Sequence, residues 1–453
     1  MLTRIEIDGF KTFEKFTLDL SPFGIVLGPN ASGKSNLFDA LRFLSQMAVN
    51  NLRDAVRGLR GEPVELFRRQ ADGTRDTKMS FAVELLLAKE VSDPWGDTVK
   101  ISHSRVRYEV EIELRQDERG LERLIVAKEA ALPILPENDL WRPYGIEPST
   151  QFQQVFFKYS RSSPWLTTVQ AEGKARFQIL ADGQAGRTHS ATNAEATVLS
   201  SITSAEFPHL FAIREEMRLM RFLQLDPRQL RRPSSTTAAL ELEPDGANLA
   251  TVLARIQALS ATLSQPKGVI ADIAADLASL IPGVVDVIVE EDQKDREYRI
   301  DIGYADQPPF SSRVVSDGTL RVLALLTILH DPQHRGLVCF EEPENGVHPS
   351  RLMTLIQKLR EGVTATTSVE VDEAEPFFQM LINSHSPVVL SCLEEGEAMF
   401  ADLVSVVNPE AGSVSRKTRI RPVATSNGKQ ESESEYVSRF EVERYLSSVD
   451  QER

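Results

Sequence analysis

The run GPNASGKS at residues 28–35 is the clearest indication of the fold of this chain. Its spacing, Gly-x-x-x-x-Gly-Lys-Ser, is typical of a phosphate-binding loop, in which backbone N–H groups converge on phosphate oxygens at the start of a helix. The apolar run at 23–27 predicts a strand before the loop, and the apolar face of residues 35–48 predicts a helix after it. Strand, loop and helix in this order predict an α/β nucleotide-binding domain. The alternative is a chance glycine-rich turn, which would not need both neighbours.

Two residues of this phosphate loop (28–35) have a specific chemical role in binding a nucleoside triphosphate. The ammonium of Lys34 is expected to reach the β- and γ-phosphates, and the hydroxyl of Ser35 is expected to hold a magnesium ion. The expected cofactors are therefore ATP and Mg²⁺. The other residues expected to contact the nucleotide around this loop are Gly28, Asn30, Ser32, Gly33 and Asn36.

Composition limits the functions that are open to the chain. A length of 453 residues allows more than one domain core, and the 41% of apolar residues suits a soluble globular protein. The start of the chain has no apolar leader and no window approaches about 18 uninterrupted apolar residues, so we expect a cytoplasmic protein without a membrane span. The two cysteines, Cys339 and Cys392, are expected to be buried thiols.

Charge bears on nucleic-acid binding. The net charge of −15 argues against a generally basic nucleic-acid binder. Affinity for phosphates depends on where basic residues cluster, so a local group such as Arg228, Arg231 and Arg232 could still bind DNA. An ordinary solvated face is the alternative interpretation of that group.

A second half-site lies about 300 residues further along the chain. The run 337–342, Leu-Val-Cys-Phe-Glu-Glu, predicts a buried strand with two acids at its carboxyl end, which is the end where α/β sheets bind ligands. We expect Glu341 to order the magnesium shell and Glu342 to polarise the water that attacks the γ-phosphate. Two surface glutamates at the end of a strand are the alternative.

Two further motifs strengthen this prediction. The run 383–387, Asn-Ser-His-Ser-Pro, follows another apolar segment and places His385 where an imidazole could touch the γ-phosphate or the lytic water. The turn Ser316–Thr319 opens an apolar helix, so Ser316 and Gly318 could form a second anion site from hydroxyl and N–H groups. A simple helix N-cap is the alternative for Ser316.

Taken together, these motifs resemble the ABC-type ATPase heads of the SMC and RecF group. They more narrowly resemble the compact ATPases of bacterial defence operons, related to overcoming-lysogenization-defect, Septu and PARIS-type systems. The opening run 7–13, Ile-Asp-Gly-Phe-Lys-Thr-Phe, is similar to the start of this group, which lies near the adenine. The resemblance covers about 1–50 and 311–400. It implies a Walker A loop at 28–35, a signature at 316–319, a Walker B strand at 337–342, a dimer-contacting loop at 343–348 and a switch histidine at His385.

The sequence departs from the pattern of this group at three points. The signature keeps only Ser316 and Gly318 of the transporter spelling, and Glu341 stands where the first Walker B acid is usually Asp. The glutamine that senses nucleotide in such heads has no assigned position. The candidates for it are Gln70, Gln151, Gln153 and Gln154.

The expected fold class is α/β: an ABC-type P-loop ATPase head that is split in sequence by a β-rich and helical insertion. The absence of sustained heptads predicts no long coiled coil. We expect an N-terminal half of the head at 1–75, a β-rich insert at 76–190, a helical, signature-side region at 191–310, a C-terminal half of the head at 311–423 and a flexible tail at 424–453.

The resemblance implies an ATP-driven switch in which two identical heads, or a higher oligomer, close over ATP and open after hydrolysis. The expected partner is a separate effector such as a nuclease or a toxin, in anti-phage defence, with DNA as a further candidate. A RecF-like repair ATPase that binds DNA directly is the alternative. The chain itself is not expected to be a nuclease, because fewer than about 70 residues follow His385 and they carry no carboxylate cluster.

Overall fold

The computed structural model describes residues 1–171, 173–180, 186–408, 413–424 and 436–450. The strands are β1 Leu2–Asp8, β2 Phe16–Asp19, β3 Phe23–Leu27, β4 Lys78–Leu86, β5 Glu90–Ser92, β6 Thr98–Lys100, β7 Arg105–Gln116, β8 Glu122–Pro133, β9 Leu166–Ala171, β10 Lys174–Ile179, β11 Thr188–Ser190, β12 Arg221–Leu223, β13 Ser234–Ser235, β14 Val284–Asp292, β15 Glu297–Tyr304, β16 Phe310–Ser311, β17 Gly336–Glu341, β18 Phe378–Ser384, β19 Ala398–Asn408, β20 Ser413–Ala424 and β21 Val437–Ser438. The helices are α1 Lys34–Met47, α2 Leu52–Ala55, α3 Thr150–Phe156, α4 Val198–Ser201, α5 Pro208–Arg218, α6 Pro227–Leu230, α7 Leu249–Ser260, α8 Ile270–Leu280, α9 Asp317–Leu329, α10 Pro349–Glu361, α11 Pro387–Ser391 and α12 Arg439–Asp450.

A seven-stranded sheet in the order β12-β17-β18-β3-β19-β20-β21 draws strands from both ends of the chain. β12, β17, β18, β3 and β19 run parallel to their neighbours, and β20 returns antiparallel to β19. Every residue of β3 is buried, as the continuous apolar run of a parallel strand covered on both faces requires.

The two faces of this sheet belong to different cores. Alternate residues point to opposite faces of a strand, so Cys339 packs in one core while Val338 and Phe340 pack in the other. The first core also contains α1, α5 and one face of the second large sheet, and the other core contains α7, α8, α9 and α10. The described chain is therefore layered as sheet, helices, sheet, helices.

The second large sheet has eight strands in the order β11-β10-β9-β8-β7-β4-β1-β2, and its described strand pairs are antiparallel. Its longest pair is the hairpin of β7 and β8, whose strands have 12 residues each. The predicted β-rich insert at 76–190 supplies six strands of this sheet, and residues 2–19 supply the other two. The expected boundary at 75/76 therefore separates strands that pair directly, since β1 is hydrogen-bonded to β4.

The fold class predicted from the sequence, α/β with a split head, is confirmed. The strand at 23–27 and the helix after the phosphate loop form as expected, and β17, β18 and α9 cover the predicted runs in the last third. The longest described helix, α1, has 14 residues, so no long coiled coil lies in this part of the chain.

The expected flexible tail at 424–453 is wrong in its described part. β21 and α12 form there, and Val442 and Leu446 of α12 are buried in the same core as α9 and α10. The apolar spacing i, i+4 on this short helix explains its packing. Residues 425–435, where we expected the poorest order, lie outside the described residues.

The structure also bears on the burial of the two cysteines and on membrane-spanning helices. Cys339 is buried and Cys392 is only partly buried, and both are free thiols. In the ranges that the structure describes, no helix is both long enough and apolar enough to cross a membrane.

Candidate nucleotide-binding site

Three predicted motifs meet at one edge of the seven-stranded sheet. β3, β18 and β17 are parallel neighbours, and their register pairs Leu27 with Ser384 and Asn383 with Glu341. The carboxyl ends of parallel strands lie at the same edge of a sheet. The phosphate loop, the acids after β17 and the histidine after β18 therefore begin side by side, although more than 300 residues separate the loop from the others.

The phosphate loop makes a tight turn into α1. Gly33 is the N-cap residue of α1 and has φ 99°, in the left-handed region that favours glycine. Lys34 is the first residue of the helix, and its Nζ donates hydrogen bonds to the carbonyl oxygens of Gly28 at 2.6 Å and Pro29 at 2.8 Å. Asn30, at the tip, is exposed. The ammonium is thus held across the mouth of its own loop.

The ammonium of Lys34 feels the charge of three acids. Burial lowers the pKa of Lys34 to about 8, and the negative charges of Glu342, Glu341 and Glu344 act in the opposite direction. Loss of solvation disfavours the charged amine, whereas nearby carboxylates favour it. The acids of the second half-site therefore lie near enough to the phosphate loop for their charges to act on Lys34.

The two acids predicted from the sequence have different partners. Glu341 Oε1 accepts a hydrogen bond from Asn383 Nδ2 at 3.0 Å. Glu342 Oε2 accepts from Asn345 Nδ2 at 2.6 Å, and its Oε1 lies 3.1 Å from His385 Nδ1. The backbone of Glu342 has φ 55°, a strained conformation for a residue other than glycine. Strain of this kind is concentrated at functional sites, and here it sets the direction of the second acid.

A third acid, Glu344, was not singled out by the sequence analysis. Its Oε1 accepts a hydrogen bond from Ser384 Oγ at 2.6 Å and lies 4.0 Å from His385 Nδ1. Burial raises the pKa of Glu344, and its second oxygen, Oε2, is buried without a hydrogen-bond partner in the described chain. The sequence signal was present, since Glu344 is the third acid of the run Glu-Glu-Pro-Glu that follows β17.

The residues at this edge fit a nucleotide and a magnesium ion. Besides Glu344 Oε2, the hydroxyl of Ser32 is buried without a partner among the described residues, and a buried polar atom is normally satisfied. The oxygens of Ser35 and Glu341 are of the kind that Mg²⁺ prefers. The described residues hold no group of three or more His, Cys, Asp or Glu side chains arranged for a metal.

The predicted signature turn (316–319) packs against the 343–348 loop. Ser316 is the N-cap of α9, and its Oγ accepts a hydrogen bond from the backbone N–H of Thr319 at 3.2 Å. A Cβ added to Gly318 would lie only 1.9 Å from the carbonyl oxygen of Gly346. The hydrogen bond from Thr319 confirms the N-cap interpretation of Ser316, and the role of Ser316 in nucleotide binding stays a prediction. The contact of the two glycines joins the signature turn to the loop that carries Asn345 and Glu344.

The four candidate glutamines lie in two different places. Gln70 belongs to the hairpin 67–76, which is hydrogen-bonded to the turn after β1 through Arg68 N–H and the Gly9 carbonyl. The other three lie on or beside α3, whose Phe152 packs near Phe377, the residue just before β18. The amino end of β18 is the edge opposite the phosphate loop. Gln70 is therefore the candidate nearer to the nucleotide side, and the candidates that lie away from it are Gln151, Gln153 and Gln154.

A glycine-rich loop between a parallel strand and a helix, faced by acids at the end of a neighbouring strand, defines the site of a P-loop ATPase domain. Comparison with known families gives the same class. The chain belongs to the family described as "AAA domain, putative AbiEii toxin, Type IV TA system", which matches residues 25–163 and 195–391.

Known proteins similar to parts of the chain are chromosome partition proteins. The Smc protein of Methanocaldococcus jannaschii is 44% identical over 54 residues, which are 12% of this chain and 5% of that protein. The Smc protein of Mesomycoplasma hyorhinis is 35% identical over 104 residues, 19% of this chain and 10% of that protein. The matches therefore span a small part of these relatives.

Solved structures of Smc heads also align with the chain. An Smc head bound to the C-terminal winged-helix domain of ScpA has a TM-score of 0.49 at 11% identity, covering 93% of this chain and 98% of that one. The Smc head of Pyrococcus furiosus bound to the C-terminal domain of ScpA has a TM-score of 0.46 at 11% identity, covering 93% and 96%.

Proposed function

We propose that this protein is a magnesium-dependent ATPase that hydrolyses ATP to ADP and phosphate at the edge formed by β3, β17 and β18. The observation that carries the proposal is the shared edge of β3, β18 and β17, whose register brings the phosphate loop beside Glu341 and Asn383. The negative charges of Glu341, Glu342 and Glu344 act on Lys34 of that loop. A lysine that served only to stabilise the fold would not require a glycine-rich loop at the N-terminus of a helix, whereas a phosphate-binding lysine does.

Each residue in the site has a proposed role. The loop N–H groups and Lys34 bind the phosphates, with Asn30, Ser32, Gly33 and Asn36 completing the loop and its helix start. Ser35 and Glu341 would hold Mg²⁺, which supplies charge neutralisation of the phosphate oxygens when bound. The hydrogen bond from Asn383 orients the carboxylate of Glu341 for this role.

Glu342 is the proposed group that polarises the attacking water, and His385 is the group that orients it. His385 Nδ1 lies 3.1 Å from Glu342 Oε1, so the imidazole stands beside the carboxylate that it would assist. Asn345 donates to the other oxygen of the same carboxylate. The hydrogen bond from Asn345 and the neighbouring imidazole restrict the orientation of the Glu342 carboxylate, as a general base requires.

We further propose that two copies of the chain form composite sites. The signature turn packs on the 343–348 loop through Gly318 and Gly346, so a partner that contacts Ser316 would be coupled to the loop that orients Glu342. A two-fold dimer gives two such sites from one signature and one phosphate loop per chain. Closure of this dimer, or of a higher oligomer, is the proposed switch.

The proposed output of the switch is control of a separate cytoplasmic effector such as a nuclease or toxin, in anti-phage defence. The family description, which names a toxin–antitoxin system, supports such a context. The net charge of −15 favours a basic partner.

Direct DNA binding is the second candidate. Arg228 within α6 and Arg232 just after it are exposed, which leaves them available for phosphates. Arg231 is used differently, since it donates to the Val315 carbonyl at 2.8 Å and pairs with Asp317 at the signature turn. DNA bound at this surface would therefore lie beside the signature turn. Its affinity should depend on ATP and weaken steeply with salt.

The test is nucleotide binding and turnover by the purified chain. Wild-type protein is expected to bind ATP by calorimetry and to release phosphate in the presence of Mg²⁺. Lys34→Ala is expected to abolish binding, because the ammonium is the point charge that opposes the β- and γ-phosphates. Wild-type ATP affinity in folded Lys34→Ala would disprove the assignment of the phosphate loop.

A further inference from the structure

The C-terminal hairpin, formed by β19 and β20, contacts both ends of the phosphate loop. A Cβ added to Gly28 would lie 2.4 Å from the backbone oxygen of Ala401 in β19. A Cβ added to Gly33 would lie 2.0 Å from the hydroxyl oxygen of Thr418 in β20. Both separations are far below van der Waals contact, so the two glycines lie flat against this hairpin. The hairpin follows the last residue matched by the family, 391.

Thr418 is the residue of this hairpin that hydrogen-bonds to the loop. Its side chain is buried, and its Oγ1 lies 2.6 Å from Thr12 Oγ1 and 3.3 Å from the Ser32 carbonyl oxygen. Thr12 Oγ1 accepts a hydrogen bond from Asn36 Nδ2 at 2.9 Å. Each hydroxyl has one proton, so one arrangement satisfies the three contacts: Asn36 donates to Thr12, Thr12 to Thr418, and Thr418 to the Ser32 carbonyl.

This chain of hydrogen bonds fixes the peptide between Ser32 and Gly33. The described chain has no cis peptide bond, and in a trans peptide the N–H points opposite to the carbonyl of the preceding residue. With the Ser32 carbonyl held on Thr418, the N–H of Gly33 is directed away from the hairpin. The turn at Gly33, with φ 99°, is therefore stabilised from outside the loop.

We propose that Thr418 is a positioning residue for the phosphate loop. It holds the Ser32 carbonyl so that the Gly33 N–H is aimed at the phosphates of a nucleoside triphosphate before the nucleotide binds. The inference rests on the proposed ATP binding. Pre-organised donors raise affinity because the loop loses less conformational freedom on binding.

The test compares ATP affinity across variants of the full chain. Thr418→Val keeps the shape of the side chain and removes the hydroxyl, and it is expected to weaken ATP binding about tenfold, the scale of one or two hydrogen bonds. Thr418→Ser keeps the hydroxyl and is expected to restore near-wild-type affinity. Ser405→Ala removes an exposed hydroxyl from the same hairpin and is the matched control, with unchanged affinity expected.

Calorimetric affinity and the melting temperature without nucleotide are measured together. A purely structural Thr418 would lower the melting temperature of Thr418→Val and leave the ATP affinity of the folded protein unchanged, which would overturn the proposal. Equal weakening in the Ser and Val variants would also overturn it, because packing and not the hydroxyl would then matter. A wild-type chain that does not bind ATP would instead disprove the proposed function.

A second variant covers the case in which Thr418→Val does not fold. Thr12→Val removes the donor to Thr418 and leaves the Thr418 hydroxyl on the Ser32 carbonyl. A smaller loss of ATP affinity, about threefold, is then expected. Unchanged affinity in folded Thr12→Val would overturn the proposal.

Discussion

Gly318→Ala is expected to destabilise the folded chain and to slow ATP turnover, because the signature turn has no room for a methyl group. A Cβ at Gly318 would lie 1.9 Å from the carbonyl oxygen of Gly346 and 2.9 Å from its Cα. Both atoms are backbone and cannot rotate away. Gly346 has φ 86°, and a Cβ there would lie 2.5 Å from Gly318 Cα, so neither side of the contact can yield easily.

Two opposing effects set the size of the change. Alanine inside a helix is usually about 1 kcal/mol more favourable than glycine, and Gly318 is the second residue of α9. Overpacking of a close contact costs about 1–3 kcal/mol. We therefore expect the free energy of unfolding to fall by about 1 kcal/mol. The displacement of the turn from the 343–348 loop should lower turnover about tenfold or more, while ATP binding to the phosphate loop stays near the wild-type value.

Urea unfolding and phosphate release measure these two effects, and Gly58→Ala is the matched control. A Cβ at Gly58 would meet nothing within 4 Å, and Gly58 has no positive φ. The control should be as stable and as active as the wild type. If Gly318→Ala matches the control in both stability and turnover, the two glycines are not in close contact and the coupling of the signature turn to the loop is wrong.

Three other predictions address the reaction, the dimer and the core. Glu342→Gln should bind ATP but hydrolyse it at least ~100-fold more slowly, with an ATP-dependent dimer visible by size exclusion; normal turnover there, with loss in Glu341→Gln, would reverse the two roles. Mixing Ser316→Arg chains with Lys34→Ala chains should restore ATP hydrolysis, up to about half of the wild-type rate per dimer, because one composite site of the mixed dimer carries neither mutation. If mass spectrometry shows that subunits exchange and hydrolysis still does not recover, Ser316 does not act in trans on independent sites. Burial raises the pKa of Glu129 to about 7 from 4.5, so the folded state binds the proton more tightly than the unfolded state does. The free energy of unfolding should therefore fall as pH rises from about 4.5 to 7. Urea unfolding of Glu129→Gln should show a weaker pH dependence over this range, and the same dependence as the wild type would contradict the prediction.

The sequence predicted the site best where local pattern and chemistry coincide. The run 23–27 is uniformly apolar and the loop after it has fixed glycine positions, so the strand, turn and helix follow from local preferences. The strands β17 and β18 were found for the same reason. Their polar ends at Glu341 and Asn383 then lie together because parallel strands share an edge.

Features that depend on distant pairing were not accessible from the sequence. β1 pairs with β4 across about 75 residues, and no local signal fixes that choice, so the division at 75/76 did not anticipate a shared sheet. The acidic run marks Glu344 in the sequence, but its hydrogen-bond donor, Ser384, is 40 residues away and no local pattern pairs the two. Thr418 carries no motif at all, and its role depends on the close approach of β20 to Gly33. Side-chain position in such cases is set by tertiary packing and not by residue spacing.

The nucleotide site exists only when both ends of the chain are folded together. Its parts come from residues 28–35, from the acids after β17, from His385 after β18 and from Thr418 in β20, and a single sheet holds them. No local segment could bind ATP with the same geometry, so binding energy at this site is also folding energy for the whole sheet. A ligand that binds only the folded state stabilises it by RT ln(1 + [L]/Kd), about 2.7 kcal/mol at 100 times Kd. The nucleotide-dependent rise in melting temperature is therefore a measure of assembly of the site, and each variant that loosens the loop should reduce that rise by an amount that follows the logarithm of its loss of affinity.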